Sequence, residues 1–315
     1  TSTSGQSLYN NTFLYLCHIH VVSYTHMEPL KDIVIIYHKN CPDGFAAAWV
    51  ANRYFANTAS YIPASYGDPI PENIEGKEVY VLDFSYDAER LSSLEAKAKR
   101  LVVIDHHKGA EAHVKATKEH VFDLHHSGAY LTWRYFYPNV EIPTFIEYLS
   151  DGDINIYTRP DAEVICAYIC STEKAFEAFE GLYEEMEDIN KRKGVLEKGS
   201  IIIRYREFVV EPAFNSIHFI NLAGVVLPAV NAVLPMDEKS YLIHKIYERY
   251  PPVAMSYRYD EGEWKCSLRS NGEFDCIELA QKFGGSGHRG AAGFTITAEP
   301  GVYPFEVVDN PFESQ

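Results

Sequence analysis

Short apolar runs alternate with helical patterns along the first third of the chain. The runs at residues 33–37, 79–82 and 101–104 are rich in Val, Ile and Leu and predict buried strands. Residues 44–55 are rich in Ala, and residues 87–100 place Glu, Lys and Ala on one face, so both predict helices. Strands that alternate with helices of this length form parallel sheets covered on both faces. The pattern predicts an α/β fold.

Two local signals refine this prediction. Residues 63–76 are rich in Pro and Gly and predict a loop between the first helix and the second strand. Asp87 stands at the start of the second helical stretch, where its carboxylate can accept hydrogen bonds from free backbone amides. We therefore assign Asp87 as a helix cap and not as a site residue.

The pattern changes beyond residue 172. Residues 173–211 are highly charged and helical without strand signals, which is typical of a linking helix, and Pro212 closes it. Strand patterns then return, at residues 224–230, 253–259 and 264–269, before a helical run at 277–283. The predicted organisation is an N-terminal extension (1–29), a parallel-sheet domain (30–172), a helical linker (173–213), a smaller mixed α/β domain (214–300) and a C-terminal tail (301–315).

Each of the first three predicted strands leads into acidic or imidazole side chains. In strand order these are His38 and Asp43, then Asp83, and then the run Asp105-His106-His107. Ligands of open α/β sheets bind outside the carboxyl ends of the strands. A single Asp at such a place is usually a cap or turn residue. Three strands that deliver Asp and His to one edge predict a site there.

A fourth acidic cluster follows the apolar residues 145–149. It reads Ser150-Asp151-Gly152-Asp153, and an isolated Asp-Gly pair would usually be a turn. Because three other clusters already converge, we predict that Asp151 is a ligand, with Asp153 as the reserve candidate.

This set of side chains offers both nitrogen and oxygen ligands. Oxygen ligands suit Mg²⁺, and added imidazole shifts the preference toward Mn²⁺ and its neighbours. Five or six such groups exceed the needs of one catalytic ion. Two ions about 3.5–4 Å apart would use them all and would activate a water for phosphoryl transfer. Asp83, central and at a strand end, is the predicted bridging carboxylate.

Residues 284–293 form a second signal, a glycine-rich loop that contains His288 and Arg289. Glycines let backbone amides approach an anion closely, and these two side chains can add charge-assisted bonds to phosphate oxygens. Glycines also mark ordinary turns. Taken alone, the loop is equally compatible with ligand binding and with a plain turn.

The net charge narrows the choice of partner. The 315 residues include 44 acidic and 28 basic side chains, a formal net charge of −16. Proteins that grip long duplex DNA usually present a basic face. The balance favours a small phosphorylated or short nucleic-acid substrate held by metal ions. A solvated acidic surface explains the charge of the outer faces.

Other features of the composition indicate a cytoplasmic protein. Six scattered cysteines with no C-x-x-C pair are expected to be reduced thiols, and no apolar run of eighteen residues predicts a membrane span. Residues 1–26 lack Lys and Arg, unlike signal or transit peptides, and Met27 is a plausible natural start. We expect no role in the fold for these residues.

Together the motifs resemble the DHH/DHHA1 phosphoesterase superfamily, which includes nanoRNase and RecJ-like phosphodiesterases. The resemblance spans about residues 33–297. Its first part rests on Asp105-His106-His107 after an apolar strand, with Asp43-Gly44, Asp83, Asp151 and the segment 127–133 in the expected order. Its second part rests on residues 267–270, which match a strand of the DHHA1 domain, and on the loop 284–293 with its Gly, His and Ala-Ala-Gly.

The resemblance implies a role for each site residue and a cofactor of two Mn²⁺ or Mg²⁺ ions. The implied metal ligands are His38, Asp43, Asp83, His106 and Asp151. The implied catalytic run is Asp105, His106 and His107, in which His107 contacts the scissile phosphate and Asp105 orients the first imidazole. The implied substrate-binding residues of the second domain are Arg269, Ser270, Gly285, Ser286, His288 and Arg289.

The chain departs from the family in its first motif. The family often has a second Asp two positions from the first, but Cys41 lies two before Asp43 and Phe45 two after it. Cys41 is either a soft metal ligand or a small packing residue.

The leading hypothesis is a metal-dependent hydrolase of short phosphodiesters, with short oligonucleotides, dinucleotides and 3′-phosphoadenosine 5′-phosphate as candidate substrates. One alternative is a polyphosphate or pyrophosphate phosphohydrolase, although such branches carry a different C-terminal domain. The other alternative is a nucleotide-binding sensor with a degraded site. A homodimer is a further possibility.

Overall fold

The computed structural model describes residues 29–154, 156–298 and 302–312. Within these ranges the first sheet has five parallel strands in the order β2-β1-β3-β4-β5. The strands are β1 (Ile33–His38), β2 (Ala59–Ala64), β3 (Glu78–Leu82), β4 (Arg100–Asp105) and β5 (His120–Phe122).

Helices cover both faces of this sheet. They are α1 (Pro42–Phe55), α2 (Ala88–Lys97), α3 (Glu111–Lys115), α4 (Gly128–Phe136), α5 (Thr144–Asp153), α6 (Ala162–Ser171) and α7 (Phe176–Glu187). Ile35 on one face packs with Trp49 of α1, and Val34 on the other packs with Leu91 of α2. Alternate strand residues point to opposite faces, so two apolar cores form. The predicted α/β fold with helices on both faces is confirmed.

The prediction missed the edge strand β2. It pairs in parallel with β1, with Ile36 opposite Ile62 and Tyr37 opposite Pro63. Proline cannot donate a ladder hydrogen bond, so Pro63 is tolerated because β2 lies at the edge. The Pro/Gly-rich loop therefore begins after residue 64. Asp87 caps α2 as predicted, because its carboxylate accepts a hydrogen bond of 2.9 Å from the Arg90 amide.

The charged segment after residue 172 forms two helices, α7 and the 26-residue α8 (Ile189–Phe214). Asp188 caps α8 by accepting a hydrogen bond from the Asn190 amide. Pro212 lies inside the last turn of α8 and does not end it, because the helix continues to Phe214. Phe179 and Met186 of α7 are fully buried in a core of the first sheet, so α7 packs with that sheet.

The second sheet contains seven of the described strands, in the order β10-β11-β9-β8-β7-β6-β12. They are β6 (His218–Leu222), β7 (Val225–Asn231), β8 (Val253–Asp260), β9 (Glu263–Ser270), β10 (Ser286–His288), β11 (Ala291–Thr297) and β12 (Glu306–Val308). Only β7 and β8 pair in parallel among them. The helices α9 (Met236–Arg249) and α10 (Cys276–Gln281) pack in separate cores. The predicted mixed α/β character is confirmed.

None of the helices in the described ranges has both the length and the apolar sequence that a membrane crossing requires.

Candidate metal centre

The carboxyl edge of the first sheet carries a buried cluster of acids and imidazoles. His38 ends β1, Asp105 ends β4, and Asp83 follows β3, the strand that lies between them. The exposed fractions of Asp83 and Asp105 are 1% and 0%, and His106 is 9% exposed. Charged groups are costly to bury unless other groups compensate them. Nothing in the packing of the apolar core requires acids at this edge.

Asp83 is the centre of the cluster. Its Oδ2 lies 3.4 Å from His38 Nδ1, and its Oδ1 lies 3.3 Å from His106 Nε2. The backbone of Asp83 is left-handed, with φ of +63°, a conformation that non-glycine residues adopt at a cost. The chain therefore holds this carboxylate between two imidazoles at the expense of local strain.

Several ligand atoms of the cluster are buried without a hydrogen-bond partner among the described residues. They are His38 Nδ1, both carboxylate oxygens of Asp83, and His106 Nε2. Asp83 belongs to two groups whose ligand atoms all lie within 4.8 Å of one another, one with His38 and His107 and one with Asp43 and His106. Orphaned nitrogen and oxygen atoms in this arrangement fit divalent cations. Asp83 is the member that both groups share.

Asp43 reaches the cluster from the first turn of α1. Its Oδ1 accepts a hydrogen bond of 2.6 Å from Ser127 Oγ, and its Oδ2 accepts one of 3.1 Å from the Ala129 amide. Ser127 caps α4, so the start of α4 holds this carboxylate in place. The resemblance identified the segment 127–133 without a role, and the structure supplies one.

Two glycines allow these elements to meet. A Cβ atom on Gly44 would lie 2.4 Å from the His38 carbonyl oxygen, and one on Gly128 would lie 2.6 Å from Asp83 Cβ. Real Cβ atoms do not approach so closely, and a larger residue would push α1 or α4 away from the strand ends. The glycines next to Asp43 and Ser127 are therefore required by packing at the site.

The electrostatics of the acids favour a bound cation. Burial would raise the pKa of Asp83, but the close imidazoles of His106 and His38 outweigh burial and lower it. Burial, together with the charges of Asp83 and Asp153, raises the pKa of Asp43 well above its usual range. Burial and the charge of Asp83 raise the pKa of Asp153 to about 6. A divalent ion would relieve this mutual repulsion.

Asp153, and not Asp151, lies at the cluster. Asp153 Oδ2 is 3.2 Å from His106 Nε2. The Asp151 carboxylate instead pairs with Arg159 at 2.5 Å and accepts a hydrogen bond of 3.0 Å from Thr158 Oγ1. Both acids lie on helix α5, where side chains two residues apart point in nearly opposite directions. The structure therefore gives the reserve candidate the place that was predicted for Asp151.

Asp105 holds His107 and not the first imidazole. Its Oδ1 lies 2.8 Å from His107 Nδ1 and also accepts a hydrogen bond of 2.7 Å from the His106 amide. Burial lowers the pKa of His107, but the hydrogen bond and charge of Asp105 outweigh burial and raise it to about 9. The pairing of Asp105 with the His106 imidazole, which the resemblance implied, is absent from the described contacts.

The two positions that depart from the family differ in their surroundings. Phe45 is 5% exposed and packs 4.9 Å from the Phe179 ring, so the place of a carboxylate is occupied by an aromatic core residue. Cys41 is the N-cap residue of α1. Burial, then the charges of Asp83, Asp153 and Asp43, raise the pKa of Cys41 well above its usual range. Cys41 thus shares the field of the same three acids.

The second sheet presents cations where the first presents acids. Strand pairing sets Ser256 opposite Ser267 and Arg258 opposite Lys265, so these side chains and Arg269 share one face of the sheet. Lys239 of α9 lies over this face, with its Nζ 3.3 Å from Ser267 Oγ. Burial, then the charges of Arg269 and Arg258, lower the pKa of Lys239. We call Lys239, Arg258 and Arg269 the basic face.

Two members of the basic face have no acidic partner among the described residues. Neither Lys239 nor Arg269 lies within 4.0 Å of a carboxylate in the described part of the chain, whereas Arg258 is 3.4 Å from Asp260. Within the described ranges, the hydrogen bonds of the Arg269 side chain are a long contact of 3.5 Å to Ser240 Oγ and a contact of 3.3 Å to the Leu268 carbonyl. Lys239 and Arg258 carry no motif, so sequence reasoning missed them. Only the strand register and the docking of α9 bring them to Arg269.

The other predicted substrate residues have varied environments. Arg289 is exposed and donates to the Gly272 carbonyl at 3.0 Å, so it braces a neighbouring turn. Ser270 is buried and donates to the Phe274 carbonyl at 2.8 Å. Gly285 has no room for a Cβ atom, which would lie 2.3 Å from the Gly293 carbonyl oxygen. The side chains of Ser286 and His288 lie outside the described part of the structure. The glycine-rich loop itself forms the pair β10 and β11.

Comparisons with known proteins identify one family match and one relative. Residues 237–303 match the DHHA1 domain family. A protein of Acanthamoeba polyphaga mimivirus, named uncharacterized protein R106, is 28% identical over 304 residues, which cover 88% of this chain and 70% of that protein.

Three solved structures show weaker likeness. The pGpG-specific phosphodiesterase PggH from Vibrio cholerae has a TM-score of 0.49 and 13% identity, covering 84% of this chain and 93% of that chain. An exopolyphosphatase-related protein from Bacteroides fragilis has a TM-score of 0.47 and 17% identity, covering 86% and 89%. RecJ from Thermus thermophilus in complex with Mn²⁺ has a TM-score of 0.46 and 16% identity, covering 84% and 49%. These TM-scores and identities are too low to assign a function to this chain.

The DHHA1 match covers strands β8 to β11 of the second sheet, and the Asp-His-His run lies with Asp43 and Asp83 at the edge of the first sheet. The two parts of the resemblance to the DHH/DHHA1 phosphoesterase superfamily therefore lie in separate sheets, and the family match itself covers residues 237–303.

Proposed function

We propose that this chain is a metal-dependent hydrolase of short phosphodiesters. The observation that carries the proposal is the buried Asp83, whose unpartnered oxygens belong to two separate groups of potential ligands. A carboxylate shared by two ligand groups is the arrangement that a pair of catalytic ions requires.

The proposed metal ligands are Asp43, Asp83, His106 and Asp153 on one side of the cluster and His38 with Asp83 on the other. Asp153 replaces Asp151 in this set because its carboxylate lies at His106. Imidazole nitrogens among carboxylate oxygens favour Mn²⁺ over Mg²⁺. When bound, such ions polarise a phosphoryl oxygen and provide a hydroxide nucleophile near neutral pH. We propose two ions per chain.

His107 is the proposed contact to the scissile phosphate. Asp105 fixes its ring by accepting from Nδ1, which leaves Nε2 as the donor toward substrate. In the metal-free protein, the hydrogen bond and charge of Asp105 outweigh burial and raise the pKa of His107 to about 9, which favours the protonated imidazole. A protonated imidazole donates a charge-assisted hydrogen bond to a phosphate oxygen as negative charge grows on it.

The basic face is the proposed binding place for the rest of the substrate. Lys239 and Arg269 lack acidic partners in the described structure, and Arg269 provides the planar guanidinium that suits phosphate. In a chain with a net charge of −16, this small cluster suits a short anion better than a polymer. Short oligonucleotides, linear or cyclic dinucleotides and 3′-phosphoadenosine 5′-phosphate remain the candidate classes.

A substrate panel tests the proposal. The purified protein is incubated with Mn²⁺ and each candidate, the products are identified, and bound metal is counted by elemental analysis. We expect hydrolysis of at least one phosphodiester and metal binding that Asp83→Asn abolishes. A matched control is Glu89→Gln, an exposed acid on α2, which should leave both unchanged. A wild-type protein that binds Mn²⁺ but hydrolyses none of these compounds would contradict the proposed activity.

A further inference from the structure

Helix α8 has one packed side and one open side. Val195, Gly199 and Val210 are buried, and a Cβ atom on Gly199 would lie 2.2 Å from the Val164 carbonyl oxygen of α6. On the same side, Glu207 accepts from Tyr241 and Lys245 of α9. These contacts fix which face of α8 is turned toward the rest of the chain.

Three large apolar side chains lie on the opposite side. Ile201, Tyr205 and Phe208 are 57%, 65% and 73% exposed. They are separated by four and three residues, so they form one continuous row along the helix, which we call the α8 stripe. Rows of this kind on a soluble protein usually mark an interaction surface. The 3.5-residue spacing is the one with which helices pack lengthwise against other helices.

Opposite charges flank the α8 stripe along one edge. Arg204 and Glu211 are both exposed, and neither lies within 4.0 Å of an opposite charge in the described ranges. They stand seven residues apart, about 10 Å along the axis at 1.5 Å per residue, so they do not pair with each other. The edge is positive toward its N-terminal end and negative toward its C-terminal end.

We propose that the α8 stripe is the interface between two copies of this chain, with the helices antiparallel about a twofold axis near residues 206 and 207. Antiparallel alignment sets Tyr205 against the partner's Phe208. It also brings Arg204 near Glu211 of the partner subunit, and the twofold axis repeats each contact. An isologous dimer requires a surface that is complementary to itself after a twofold rotation, and the α8 stripe with its flanking charges has this property.

The size of the surface sets the expected strength. Stable complexes bury about 1,200–2,000 Å² in total, and three side chains per copy contribute the smaller part of that area. We therefore expect reversible dimerisation in the micromolar range, which is independent of the proposed hydrolase function.

Analytical ultracentrifugation of the full chain over a wide concentration range tests the proposal. We expect a monomer–dimer equilibrium whose dissociation constant rises at least about tenfold in Phe208→Ser. Arg204→Glu and Glu211→Arg, each alone, place like charges together and should weaken the dimer to a similar extent. The double variant Arg204→Glu/Glu211→Arg restores opposite charges and should restore the dimer. Glu89→Arg, an equal charge change on α2, is the matched control and should have no effect.

Three outcomes would overturn this assignment. A chain that stays monomeric at every concentration has no such interface. A dimer that survives Phe208→Ser uses another surface. Single charge variants that weaken the dimer without rescue by the double variant would show that Arg204 and Glu211 do not meet. Circular dichroism of each variant confirms that loss of the dimer is not loss of the fold.

Discussion

The two sheets differ in the sign and the burial of the charged side chains that they gather. The first gathers acids at its carboxyl edge, where Asp43 and Asp83 are almost fully buried. The second spreads cations over one face, where Lys239 and Arg269 are only partly buried. Buried acids that repel one another need a cation fixed in place, whereas half-buried cations can exchange an anion with solvent. The first region is suited to hold a cofactor, and the second to hold and release a substrate.

The comparison predicts the largest effect for Asp83→Asn. This change removes the carboxylate that both ligand groups share, so we expect loss of bound Mn²⁺ and a fall in kcat of about 10³-fold or more. Because the neighbouring imidazoles hold the pKa of Asp83 below its usual value, the ionised carboxylate stabilises the fold, and the metal-free variant should unfold at a lower temperature than the metal-free wild type. Elemental analysis, steady-state kinetics and thermal unfolding without metal measure the three effects. A variant that retains its metal and most of its activity would contradict the proposal that Asp83 is the shared metal ligand.

A second prediction separates Asp153 from Asp151. Asp153→Asn removes a carboxylate next to His106 and should weaken Mn²⁺ binding by about 10–100-fold. Asp151→Asn breaks the pair with Arg159 and should cost about 1 kcal/mol of unfolding free energy, with metal affinity unchanged. Calorimetric titration with Mn²⁺ and urea unfolding distinguish the two. Weaker Mn²⁺ binding in Asp151→Asn, with unchanged binding in Asp153→Asn, would identify Asp151 as the ligand.

A third prediction concerns the basic face. Arg269→Ala and Lys239→Ala should each raise KM by about tenfold, with metal content and fold unchanged, because each removes a cation that pairs with no acid among the described residues. Lys265→Ala is the matched control on the same face, since Asp260 already pairs with Lys265 at 2.9 Å. Equal effects of all three variants would mean that net charge alone attracts the substrate.

The smallest expected effect is a shift in titration. In the metal-free protein, nuclear magnetic resonance should show a His107 pKa of about 9, and Asp105→Asn should lower it toward the ordinary value of about 6.5. A folded-state pKa raised in this way stabilises the protein below about pH 6.5, and that stabilisation is lost as pH rises toward 9. The wild type should therefore lose more stability than Asp105→Asn over this interval. Identical His107 titrations in the wild type and in Asp105→Asn would show that Asp105 does not raise the pKa of His107.

Local pattern was sufficient for the elements that carry most of the site. The strands before His38, Asp83 and Asp105 follow from short apolar runs, because a strand buried on both faces must be apolar throughout. The cap at Asp87 follows from one side chain and the amides after it. The convergence of the strand ends follows from the parallel arrangement, since parallel strands carry their carboxyl ends to the same edge.

The sequence pattern did not predict contacts that depend on the rotation of a helix about its axis or on the rotamer of a side chain. The choice between Asp151 and Asp153 depends on the rotation of α5 about its axis, and neither neighbour in sequence reveals it. Asp105 could have turned toward either imidazole, and in the structure its carboxylate contacts His107. The edge strand β2 was hidden because Pro63 argues against a strand unless its position at the edge is known.

The sequence by itself determined the α/β class, the edge at which the acids meet and the order of the motifs, because each depends on residues close together in the chain. Only the tertiary structure decided that Asp153 lies at the cluster, that Lys239 and Arg258 join Arg269, and that the α8 stripe is left uncovered by the described residues. These contacts join elements far apart in sequence. They depend on how helices dock on sheets, which hydrophobic periodicity leaves open.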